Sequence, residues 1–234
     1  MGNFTGGGVN AITRSGSNDL SASIYGFGRN QNTIGKSVTE PRTKAADFYN
    51  YQTGFRVGGA VVKDKVFFFL NGEIARNATP LAFTPGSPES RVTIANVQRI
   101  AAAANTDLYG RYDVGSYGDI TARTESNKIF GRLDFNLSEN NTLTLRHNYV
   151  DAFDDNIGRT SNNFRFGNNA YKFSNKTNST VAELNSRFLG GFSNKLILTY
   201  TAIRDSRDVV GQAGPAFQIV DNGITYNLGQ DRTR

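Results

Sequence analysis

The 234-residue chain contains no cysteine and a single histidine. Without thiols, disulfide frameworks, thiolate zinc sites and cysteine nucleophiles are excluded. His147 alone cannot serve any catalytic scheme or metal cage that needs two imidazoles. Long hydrophobic runs are missing too. Val66–Leu70 is among the longest, against the ~18 residues a spanning helix needs. The opening MGNFTGGG has neither a basic n-region nor an apolar h-region, so no signal peptide is expected in it. The excess of 26 basic over 20 acidic side chains gives +6, yet no run of five or six cations occurs. Nucleic-acid binding calls for a clustered basic stripe, so no nucleic-acid partner is expected. No serine sits in a nucleophile elbow, and Gly6–Gly8 lacks the Lys-Ser/Thr of a phosphate loop. No catalytic residue, metal or cofactor is therefore expected.

What the chain does have is glycine, at 25 residues, and aromatics, at 12% against only 38% hydrophobic residues overall. That mixture is too polar for a helical membrane protein and too aromatic for a disordered one. Its organising signal is alternation with period two. In Tyr51–Val62, one face reads Tyr51, Thr53, Phe55, Val57, Gly59 and Val61, and the other carries Gln52 and Arg56. Lys63-Asp64-Lys65 reverses the chain, and Val66, Phe68, Leu70 and Ile74 continue the apolar face. A second hairpin runs through Lys128–Leu137 and Leu143–Val150 around Ser138–Asn141, and a third pairs Ala182–Phe188 with Leu196–Ala202. With Leu20–Arg29, this makes about seven strands, each near the ~9–11 residues that cross a bilayer when tilted.

The connections are lopsided. Three are tight polar turns, whereas Asn30–Asn50, Arg76–Asn127, Asp151–Ser179 and the stretch after Arg204 are long. Short turns at one end and long loops at the other is the plan of an outer-membrane barrel. A soluble all-β adhesin or carbohydrate-binding module is the alternative, since alternation alone also suits a sandwich. The spacing of Ile94, Val97, Ile100 and Ala104 predicts a helix in the second long loop, with Thr93 or Ser90 as its N-cap. Asp221-Asn222-Gly223 predicts a small hairpin near the C-terminus. In the barrel register, Phe55, Val57, Leu133, Phe135, Leu145 and Leu198 face lipid, Arg56, Arg132 and Arg146 face the lumen, and His147 lies at the outer boundary. Bacterial single-chain barrels have even strand counts, so the expectation is part of a larger barrel.

Residues Phe4–Asn32, FTGGGVNAITRSGSNDLSASIYGFGRNQN, closely resemble the end of the plug and the first barrel strand of TonB-dependent outer-membrane receptors. The match includes Gly6, Gly7, Gly8, Val9, Asn10, Thr13, Arg14, Ser15, Gly16 and Asn18. Phe55–Glu73, Asn127–Asn156 and Tyr109–Gly118 are similar to later parts of the Oar-like subgroup. The resemblance implies a plug end over residues 1–18 and, over 19–234, about seven strands of a 22-stranded barrel with long extracellular loops. It further implies energy-coupled uptake of an unidentified ligand across the outer membrane of a Gram-negative cell, with outer-membrane lipid and the TonB complex as partners. TonB would act through a segment upstream of this chain.

Within that frame, the loop aromatics Tyr109, Tyr112, Tyr117, Phe164, Phe166 and Tyr171 are candidates for stacking on a substrate, with packing among the loops as the alternative. The three lumen arginines are candidates for holding the plug or guiding an anion, with solvation as the alternative. Asp151, Asp154, Asp155 and Asn156 read as a solvated acidic loop, because their spacing does not match a calcium hand.

Overall fold

The computed structural model describes residues 13–38, 40–106, 112–211 and 214–231. Seven strands form one antiparallel meander: β1 (Ser21–Asn30), β2 (Tyr49–Val62), β3 (Val66–Pro80), β4 (Thr121–Ser138), β5 (Asn141–Asn156), then, after a short β6 (Asn163–Arg165), β7 (Tyr171–Arg187) and β8 (Ser193–Val209). All seven expected strands are present in the expected order. The sheet is open, with β1 and β8 at its edges. In hydrocarbon neither edge can stay unpaired, because its backbone N–H and C=O groups would have no partner.

Cross-strand register sorts the side chains. Counted from the short turns, one face presents Val66, Phe135, Leu143, Leu184 and Leu196 in a row, and then Phe68, Leu133, Leu145, Ala182 and Leu198. Leu70, His147 and Tyr200 follow with Val57, and after them Phe55, Ile129 and Tyr149. The next row on this face is Ile74, Asn127, Asp151, Lys176 and Arg204. An apolar belt of four rows therefore ends abruptly in charge. Eight residues cover about 25 Å along a strand, close to the lipid-facing band of an outer-membrane barrel. His147 falls in the third row, its Nδ1 2.9 Å from Thr180 Oγ1, near the outer rim of the belt.

The strands run past this belt, which corrects the expected loop boundaries. Arg76–Pro80, Thr121–Asn127, Asp151–Asn156 and Tyr171–Ser179 are paired strand, not loop. Their alternation is invisible because both faces are polar, while a backbone ladder needs no apolar side chain. Ion pairs bind the extensions across strands: Arg76 to Glu125 at 3.0 Å and Arg123 to Asp155 at 3.0 Å. The acidic run accordingly lies on β5 and splits between faces. Asp154 accepts from Thr124 Oγ1 on one side, and Asp151 meets Lys176 on the other.

At the long-loop end a second unit folds. Helix α1 (Ile94–Thr106) lies beside a three-stranded sheet in the order β6, β10 (Ile224–Leu228), β9 (Phe217–Asp221). Thr93 Oγ1 caps α1 by accepting the N–H of Asn96 at 3.2 Å, and Val97, Ile100 and Ala104 form its buried stripe. β9 and β10 turn through Asn222 and Gly223, both at positive φ, as a two-residue Asn-Gly hairpin requires. Around them, Val92, Val114, Phe164, Phe166, Tyr226 and Leu228 complete one apolar core. It draws together residues from the β3–β4 connection, the β5–β7 connection and the segment after β8. No helix among the described residues is long and apolar enough to cross a membrane.

Candidate functional site

The face opposite the apolar belt is built from pairs of opposite charge. On β4, Arg132 directs Nε at Asp134 Oδ2, 2.8 Å away, and Thr144 Oγ1 donates to the same carboxylate at 2.7 Å. Directly across on β5 stands Arg146, a like-charge neighbour that would be repulsive by itself. Glu183 resolves this by accepting from Arg146 Nη2 at 2.9 Å and from Lys195 Nζ at 2.8 Å. Higher up, Glu73 gathers Gln52 Nε2, Lys128 Nζ and Tyr25 Oη within 3.1 Å. Tyr25 reaches it by crossing Gly54, where a Cβ would lie 2.5 Å from the tyrosine oxygen. Arg56 shares this face and donates through Nε to Ser23 Oγ at 2.7 Å. Arg56, Arg132 and Arg146 thus share one face of the sheet.

Residues 13–18 lie against this wall without forming a strand. Arg132 Nη1 donates to the carbonyl and the hydroxyl of Thr13 at 2.7 and 2.8 Å. Gly16 sits so close to the β2–β3 backbone that a Cβ would meet the carbonyl oxygens of Phe68 and Gly59 at 2.4 and 2.6 Å. Asn18 exchanges two hydrogen bonds with Asp64, in the first short turn. Between this segment and β4, β5 and β7 lies a polar hollow of 640 Å³, bordered by Arg132, Asp134, Arg146 and Glu183. The strand expected at the end of the plug, with Gly6–Gly8, Val9 and Asn10, lies outside the described residues.

The loop aromatics take a different place from the one a stacking platform needs. Phe164 and Phe166 are fully buried, their rings edge to face at 5.1 Å, and Tyr112 is buried beside them. Tyr117 packs against the same core. Tyr171 is half-buried on β7 under the Arg207 guanidinium, 3.8 Å from the ring centroid. Tyr109 lies outside the described residues. Packing among the loops is thus the arrangement adopted, because three connections have no other apolar surface to cover.

One cation enters that core. Arg159 stacks 4.4 Å above the Phe164 ring, donating from Nη1 to the carbonyl of Gly118 and from Nε to that of Arg165. Burial pushes its pKa down to about 10 against a small opposing pull from Asp119. Burial likewise raises the Tyr112 hydroxyl above its ordinary value, with Asp113 adding to the shift. Sequence reasoning did not single out Arg159 or Tyr226. The alternation of Ile224, Tyr226 and Leu228 was legible, but its partners lie some 60 and 130 residues upstream at Phe164 and Asn96.

These features fit a strand-built membrane wall with a structured crown. Residues 12–111 match the family described as an outer membrane beta barrel domain. Over that stretch the chain carries an outer-membrane β-barrel domain, and its place is the outer membrane. No curated protein and no solved structure matches it. In the outer membrane the short turns of a barrel face the periplasm and the long connections face outward. The core built by α1, β6, β9 and β10 stands at the long-connection end of the sheet.

Proposed function

We propose that this outer-membrane barrel chain is the plug end and the first seven barrel strands of a TonB-dependent receptor of the Oar-like subgroup. On this reading it takes part in energy-coupled transport of a ligand across the outer membrane. The observation that carries the proposal is the docking of residues 13–18 on the charged wall, through Thr13 on Arg132, Gly16 on the β2–β3 backbone and Asn18 on Asp64. A segment leading into the first strand from inside the barrel is what a plugged receptor requires and what an empty porin does not. The open edges of β1 and β8 fit a larger barrel, in which further strands close the sheet.

Energy coupling in this scheme works on the contacts just named. A pull on the plug would load Thr13 and Gly16 first, and the Arg132–Asp134 pair would hold the wall in place as they part. The test is retention of the full-length receptor, extracted from outer membranes in detergent, by an immobilised TonB periplasmic domain. Specific retention supports the proposal. An outer-membrane protein that TonB does not retain would overturn the energy-coupled reading and leave a passive barrel.

A further inference from the structure

The module at the long-connection end carries a polar face on its small sheet that the transport reading does not use. Across β6, β10 and β9, Arg165, Asn227 and Gln218 pair in one row opposite the apolar core, with Asn163 two residues before Arg165 on the same face. Gln218 Nε2 donates to Asn227 Oδ1 at 3.1 Å, and Asn227 Nδ2 donates to Asn163 Oδ1 at 2.7 Å. Arg165 continues the face beside them. Its Nε donates to Oδ1 of the buried Asn169 at 2.8 Å, and its Nη2 pairs with Asp231 at 2.8 Å. Asn169 is itself anchored by donating to the carbonyl of Gly229 at 3.0 Å.

These residues line a hollow of 250 Å³ with Phe217 at its border. Three polar groups there have no protein partner among the described residues: Arg165 Nη1 and Asn163 Nδ2, both donors, and Gln218 Oε1, an acceptor. The Arg165 charge is already matched by Asp231, so the hollow has no net demand for an anion. We infer that it is a binding site for a neutral sugar ring. A hydroxyl both donates and accepts, and vicinal hydroxyls meet a fork of donors set beside an acceptor. A ring of hexose size suits the volume, which lies below the ~300 Å³ at which drug-sized pockets begin. Planar amide and guanidinium groups locked by their neighbours lose little entropy on binding, which is what makes a shallow site selective. The site rests on the module facing outward and is independent of energy coupling.

The test is saturation-transfer NMR on the full-length outer-membrane protein in detergent with methyl glycosides of glucose, galactose and mannose as probes. Transfer to at least one glycoside is expected. Gln218→Ala and Arg165→Lys should each weaken that binding about tenfold, as loss of one or two hydrogen bonds implies. Gln98→Ala, on α1 away from this face, should leave it unchanged. Transfer to none of the three sugars, or equal binding by wild type and both variants, overturns the site. A receptor that binds sugar but is not retained by TonB keeps this site while losing the transport reading.

Discussion

Arg132 and Thr13, 119 residues apart in sequence, are joined by a guanidinium nitrogen that donates to both oxygens of the threonine. The same arginine is clamped from its other side by Asp134, so its position is set before Thr13 arrives. The entering segment is thus held by a preorganised cation of the wall.

Removing that cation should release the segment. Hydrogen bonds to a charged donor contribute about 1.5–3 kcal/mol, so Arg132→Ala should raise the exposure of residues 13–16 by about one to two orders of magnitude. The chain has no natural cysteine, so Ser15→Cys is a clean reporter. Its reaction with an impermeant maleimide should quicken by that factor in the Arg132→Ala background. An unchanged rate would show that Gly16 and Asn18 alone hold the segment.

The two faces of the sheet make opposite predictions. Single cysteines at Phe55, Val57, Leu133, Phe135, Leu145 and Leu198 should react with a lipid-soluble label and resist an impermeant one. Cysteines at Arg56 and Arg146 should do the reverse. Because side chains alternate, a slip of one residue would exchange the two patterns completely.

Arg159→Ala should loosen the crown while leaving the barrel intact. It removes two hydrogen bonds and a ring contact and opens a gap over Phe164, while also ending the burial of a charge. Set against one another, these leave a net loss of about 1–3 kcal/mol. Limited proteolysis should then cut within residues 81–120 and 157–170, with the barrel's heat-modifiable migration preserved. Protection equal to wild type would mean that burying the charge costs as much as its contacts return.

Tyr112 gives a pH dependence of known sign. Its hydroxyl is buried and has no hydrogen-bond partner among the described residues. Its pKa is raised in the folded state, so above about pH 10 the unfolded chain loses this proton before the folded one does. Stability of the crown should therefore fall as pH climbs from that point. Tyr112→Phe should abolish this tyrosine's part of the slope and, at neutral pH, stabilise the crown by up to about 1 kcal/mol. Resistance of the crown to proteolysis at pH 7 and pH 10.5, in both proteins, reads both effects. Destabilisation by Tyr112→Phe at neutral pH would reveal a partner for the hydroxyl.

Within the belt, the sequence by itself determined the strands, their order, their register and the face each residue takes. Phe55, Leu133, Leu145 and Leu198 alternate with Arg56, Arg132, Arg146 and Thr199 because one face meets lipid and the other does not, a contrast written in every second residue. Thr93 as a cap and Asn222-Gly223 as a turn were legible for the same local reason. Tertiary structure decided what has no short period. The strands continue through stretches such as Thr121–Asn127, where both faces are wet and backbone pairing goes on without a hydropathy signal. The crown was hidden because Val97, Phe164 and Tyr226 sit on three separate connections, each too poor in apolar residues to announce a core. Only pairing of the strands into one antiparallel meander brings those connections to the same end of the sheet. There, burying them against one another is the sole way to remove Phe164, Phe166 and Tyr226 from water, and aromatics that look like a binding surface in sequence become a core.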